Sequence, residues 1–125
     1  MKKKIVLTIA TLLLALFILG CGAAVKFTPI GNYRSPKAED YHVAVFQVGD
    51  NIDLDYEIIG KIDVGDSGIT AKCGYDKMMR LVLQKAREVG ADAIRIIEVK
   101  DPDIISSCYR ITALAIAFEK SKSSF

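Results

Sequence analysis

The first twenty-one residues constrain what the rest of the chain can be. Lys2, Lys3 and Lys4 form a basic head, and Ile5 to Leu19 is an apolar run broken only by Thr8 and Thr11. The run closes on Ile18-Leu19-Gly20-Cys21. A positive head, an apolar middle and a small residue at the end make the three-part plan of an export signal. Residues 1–20 are therefore expected to be removed and to take no part in the folded domain. The competing reading is a retained transmembrane helix, because the run has about the length that spans a bilayer. The position of Gly20-Cys21 at its end, with no basic stop segment there, argues against that.

A cysteine directly after the small residue is more specific. The stretch resembles a bacterial lipoprotein signal, in which a diacylglycerol is joined to the thiol and cleavage leaves Cys21 as the first residue. It departs from the usual pattern at Leu19, where such signals usually carry Ala, Ser or Thr. The resemblance implies an anchor of acyl chains, palmitate among them, on Cys21. Several chains hold a protein stably, since each buried methylene contributes about 0.8 kcal/mol. Gly22, in place of Asp, implies passage to the outer membrane of a Gram-negative cell, facing the periplasm.

About one hundred residues remain after the signal, enough for one small domain and a short tether. A core of that size is marginal and gains from a covalent staple. The net charge of +2 is partly a property of the signal. Without its three lysines, 14 basic residues face 15 acidic ones. With no basic patch and no Trp, nothing points to nucleic acid. Cys73 and Cys108 are left as an even pair in an exported, oxidising setting, and a disulfide closing a 35-residue separation is the natural reading. Two free thiols or a metal pair are the alternatives. A metal would need further ligands, and His42 is the single histidine.

Along the mature chain, Gly22 to Asp40 reads as a tether punctuated by Gly, Pro and Ser, with no period. The expected domain covers residues 41–119, with a polar tail at 120–125. Strands are expected over Tyr41–Val48, Glu57–Val64, Ala91–Val99 and Cys108–Phe118. At Gly60 a bulge or a close backbone approach is expected. A helix is expected over Tyr75–Val89. Met78, Met79, Val82, Leu83, Ala86 and Val89 fall on one side of it, Leu81 is off the stripe, and Gly90 sits at the stop. Asp101-Pro102-Asp103 and Ser106-Ser107 mark a hairpin loop. The fold class is thus α+β, a ββαββ domain with a hairpin expected on each side of one main helix and a mixed or antiparallel sheet packed on that helix. In the last strand, Ala113, Ala115 and Ala117 suit the helix side. Leu114, Ile116 and Phe118 make the other side apolar as well, so it needs a cover: the tether, a second copy or a partner.

Catalytic chemistry is not legible. Gly65-Asp66-Ser67-Gly68 echoes a serine-protease loop, but Ile69 stands where Gly belongs and His42 lies in an expected strand with no orienting acid. Asp50, Asp53, Asp55 and Glu57 lack the spacing of a calcium loop and read as a solvated turn. Neither an enzyme nor a cofactor site is expected.

A wider pattern remains. Tyr56-Glu57-Ile58-Ile59-Gly60-Lys61-Ile62 leads to a Cys-bearing loop. Then comes a helix ending Lys85-Ala86-Arg87-Glu88-Val89-Gly90-Ala91-Asp92-Ala93-Ile94, and finally Cys108-Tyr109-Arg110 with a small-residue strand. This resembles the signalling domain of the envelope-stress lipoproteins of the Rcs phosphorelay (RcsF-like) and the wider YbjQ-like group. The resemblance implies a tethered, disulfide-bearing domain that signals stress by contacting outer-membrane or inner-membrane envelope proteins. The stress sensors carry two bridges; here only Cys73 and Cys108 are available, and the tether is short. The contact surface is expected at Leu114, Ile116 and Phe118 with nearby Tyr109 and Arg110. The alternatives are a small-ligand or metal-binding lipoprotein, with His42 and the acidic loop as donors, and a self-assembling structural one.

Overall fold

The computed structural model describes residues 1–17, 23–66 and 73–120, with backbone alone over 11–17. Helix α1 spans Lys2–Phe17. Among the described residues no helix is long and apolar enough to cross a membrane. Cys21, the expected site of lipid attachment, lies outside the described residues.

The domain is α+β. Strands β1 (Ala24–Pro29), β2 (Ala44–Phe46), β3 (Tyr56–Gly65), β4 (Ala93–Lys100) and β5 (Arg110–Phe118) form one sheet in the order β1-β3-β5-β4-β2. Helix α2 (Tyr75–Glu88) packs on one side of it. Every pairing is antiparallel except β2 with β4, which is parallel.

Helix α2 forms because its apolar residues recur at helical spacing. Met78, Val82 and Ala86 are buried, and Met79 and Leu83 pack at the margin. Asp76 in its first turn and Lys85 and Arg87 in its last complement the helix dipole. Gly90 ends it at φ 79°, a left-handed turn that an L side chain resists. A side chain there would also strike the backbone of Arg34 and Ser35. The same passing segment satisfies the helix end: Arg34 N donates to Val89 O at 3.2 Å and Lys37 N to Arg87 O at 2.8 Å.

Alternation along β5 divides its side chains cleanly. Ala113, Ala115 and Ala117 are buried on the α2 side, small enough for close approach. Ile94 and Ile96 of β4 and Ile59, Ile62 and Val64 of β3 complete that core. The β3 register shifts between Ile58 and Gly60, the bulge expected at this glycine. The Phe27 ring and Thr28 O lie where a Cβ on Gly60 would be, so the close approach is real as well.

Two expectations are corrected. The tether is not structureless from residue 22 to 40. Val25 and Phe27 alternate with Ala24, Lys26 and Thr28, and β1 pairs with β3 from Ala24↔Gly65 to Pro29↔Gly60. Its inward residues reach the core and, with Val25 beside it, Leu81 gains an apolar neighbour. The first two expected strands, in turn, are not a hairpin. Only Ala44–Phe46 is strand, and it lies at the far edge of the sheet from β1, beside β4. Its run stops where Gln47 N donates to the Asp50 carboxylate at 2.7 Å and Gly49 turns at φ 86°.

Candidate functional site

The side of the sheet away from α2 is covered by no helix or strand among the described residues. Register places its residues. Ile116 lies between Ile58 of β3 and Ala93 of β4; Leu114 lies between Lys61 and Arg95; Phe118 pairs with Tyr56. Phe46 pairs with Arg95 from the other edge. Its ring meets the Phe118 ring edge-on, 6.4 Å between centroids.

One contact organises the apolar half of this face. Arg95 and Tyr56 stand on strands that flank β5, some 9–10 Å apart at ordinary strand spacing. Arg95 Nη1 nevertheless donates to Tyr56 Oη at 3.2 Å. The two side chains meet above β5 between Leu114 and Phe118, which is where Ile116 sits. Ile116 is accordingly fully buried. The sequence leads to the expectation that Ile116 is part of an exposed contact surface; the structure instead buries it beneath the Arg95–Tyr56 contact. Leu114, Phe118, Phe46 and Tyr56 are half-buried and face outward.

The other half is charged. A shallow groove of about 320 Å³ is lined by Lys26, Asp63, Glu98, Lys100, Arg110 and Thr112. Thr112 Oγ1 donates to Asp63 at 2.8 Å. Arg110 is paired with Asp103 at 2.7 Å, and its Nε is buried with no hydrogen-bond partner among the described residues. Hydrogen bonds from Ser106 N, Arg110 and Ile105 N hold Asp103 below the ordinary carboxylate range. Arg110 thus shares the uncovered side with Leu114 and Phe118. Tyr109 does not. It points the other way, stacks edge-on against Tyr75 of α2 at 5.8 Å and packs against the core.

Cys73 and Cys108 are joined in a disulfide, with Cα atoms 4.9 Å apart. It ties the segment leading into α2 to the segment leading into β5, and Tyr109 N donates to Cys73 O beside it. Among the described residues no three or more His, Cys, Asp and Glu side chains are gathered as a metal site would need. The acidic loop is instead tied locally, with Asp50 and Asp53 in turn hydrogen bonds and Glu57 bridged to Arg34 at 3.0 Å.

Asp92, from the Gly90-Ala91-Asp92-Ala93 stretch, is a junction that sequence reasoning missed. Its carboxylate accepts from Phe118 N at 2.9 Å, pairs with Lys37 at 3.0 Å and takes a hydrogen bond from Tyr41 Oη at 3.4 Å. Its own N–H donates to Ile116 O. It therefore fixes the end of β5, and with it Phe118, against the residue-37 segment. Partial burial pushes its pKa up, but Lys37, Phe118 N and Tyr41 outweigh that and leave it lowered. A lowered native pKa means that the unfolded chain binds the proton first. The stabilisation is thus complete above the ordinary carboxylate range and is lost as pH falls toward the lowered value. Asp92→Asn should therefore be less stable at neutral pH and lose less on acidification. Urea midpoints at about pH 7 and about pH 3 test this; parallel losses in the two proteins would refute it.

No protein-family model matches the chain, and no curated protein matches it. Among solved structures, the crystal structure of a Francisella virulence factor, FvfA, in its orthorhombic form is similar. It aligns with a TM-score of 0.54 and 15% sequence identity, covering 75% of this chain and 97% of that one. At that identity the likeness is one of fold alone.

Proposed function

We propose that this protein is a lipoprotein of the cell envelope, held at the outer membrane by acyl chains on Cys21, whose domain works by binding other envelope proteins rather than by catalysis. The observation that carries the reading is the uncovered sheet face. Phe46, Tyr56, Leu114 and Phe118 stand side by side and half exposed, with Arg95 among them. Aromatic side chains with an arginine are the composition that protein interfaces favour. Signalling of envelope stress in an Rcs-like pathway is the role consistent with the resemblance of the helix–strand region and the Cys73–Cys108 pair.

The test is crosslinking in cells, with a photoreactive residue in place of Phe118 in the membrane-attached protein and mass spectrometry of what it captures. An outer-membrane barrel or an inner-membrane regulator is the expected product. Capture of other copies alone, or of nothing, would overturn the sensor role. Loss of membrane attachment is expected for Cys21→Ser.

A further inference from the structure

Strand register gathers one end of the domain into a pole. Ala24 pairs with Gly65, Val64 with Ile111, and Lys100 with Arg110, so the start of β1, the end of β3, the end of β4 and the start of β5 lie together. The β4–β5 loop, residues 101–109, projects from this pole. At its tip Ile104 is 107% exposed and Ile105 is 88% exposed.

The turn that displays them is built. The Asp103 carboxylate accepts from Ile105 N and Ser106 N, both at 2.9 Å, and Asp103 N donates to Ser106 O at 2.8 Å. Arg110 grips Asp103 from the sheet, Ser106 Oγ donates to Asp66, and the disulfide ties Cys108, near the loop's end, to Cys73 before α2. Two adjacent isoleucines are thus held in water by a preformed scaffold, and docking them requires little further ordering.

We infer that Ile104 and Ile105 are a membrane-docking tip that seats in the bilayer interface and stands the domain upright on the surface to which Cys21 anchors it. This rests on the lipoprotein reading above. The occupant follows from chain length. Ala24 is three residues beyond Cys21, and three residues span at most about 10 Å. Because β1 begins at Ala24, the anchor holds this pole, and no other part of the domain, against the lipid. Charge sets the mode of contact. Among the described residues, Asp63, Asp66, Glu98, Asp101 and Asp103 outnumber Lys26, Lys100 and Arg110 around the pole. Attraction to anionic headgroups therefore does not drive it, and apolar insertion does.

The chain contains no Trp, so an introduced one reports alone. The mature, lipidated protein carrying Ile105→Trp is reconstituted in phosphatidylethanolamine–phosphatidylglycerol vesicles with acyl chains brominated near the headgroup. Leu54→Trp is the comparison: Leu54 is 60% exposed and lies two residues before Tyr56, at the opposite pole. Ile105→Trp should show blue-shifted emission, severalfold stronger quenching than Leu54→Trp, and no loss of either in high salt. Water-like emission from Ile105→Trp in protein that floats with the vesicles would overturn the docking tip and leave the lipid anchor standing. Failure to float, with no acyl mass on the Cys21 peptide, would overturn both. Equal quenching at the two positions, loss of the shift in high salt, or a lipid-free blue shift that grows with protein concentration would each overturn the inference. The last would assign the isoleucines to a second copy.

Discussion

Cys73→Ala/Cys108→Ala is expected to destabilise the domain by about 4 kcal/mol, from the loop entropy released to the unfolded chain at a separation of 35 residues. For a domain near one hundred residues, that corresponds to a melting temperature lower by roughly 20 °C. The effect is large because the bridge acts across the fold. The chain between its ends includes α2 and β4, and just after Cys108 it enters the sheet centre as β5, between β3 and β4. Cys108 is fully buried and Cys73 nearly so, so the double alanine variant also loses some packing. Calorimetry of the oxidised protein, the reduced protein and the variant checks this. A drop of only a few degrees would mean that the sheet and helix hold without the staple.

Ile116→Ala should cost about 2–5 kcal/mol, the usual range for emptying a buried aliphatic site. Leu114→Ala, two residues away on the same strand and the same side, should cost about 1 kcal/mol or less because the side chain is only partly removed from water. The functional effects should run the other way. Leu114→Asp should lose partner capture while remaining folded. Ile116→Ala should lose capture only in proportion to the folded fraction lost. Chemical denaturation of the two alanine variants, run beside crosslinking yields, separates these roles. Equal destabilisation at both sites would place Leu114 in the core and remove it from the contact surface.

The core of this fold was legible from periodicity alone. The apolar spacing of Met78, Val82 and Ala86 and the alternation of β3, β4 and β5 are local signals, and local signals survive in a single sequence. The small residues at 113, 115 and 117 announced a closely packed helix. What escaped was set by partners distant in sequence. Val25 and Phe27 alternate over a strand too short to stand out among Gly, Pro and Ser, and only pairing with β3 makes it one. Leu81 was the available clue: an apolar residue off the helix stripe asks for a neighbour, and β1 supplies it. The direction of β2 was hidden for the same reason, since three residues carry no information about which strand they join. Ile116 and Leu114 look equivalent by alternation. They differ because Arg95 and Tyr56 reach across β5 over one and not the other.

The incorporation of β1 into the sheet also decides how the domain bears load. In the lipid-anchored protein proposed above, the strand would run away from Cys21, and its six residue pairs with β3 lie along that direction. If a partner pulled on the far end of such an anchored domain, β1 would slide lengthwise against β3. All of its ladder bonds would then be strained together rather than opened one after another. Tension between membrane and partner would accordingly be borne by the β1–β3 ladder acting as a shear clamp, and pulling the chain by residue 23 against residue 118 should require more force than peeling β1 sideways from the sheet.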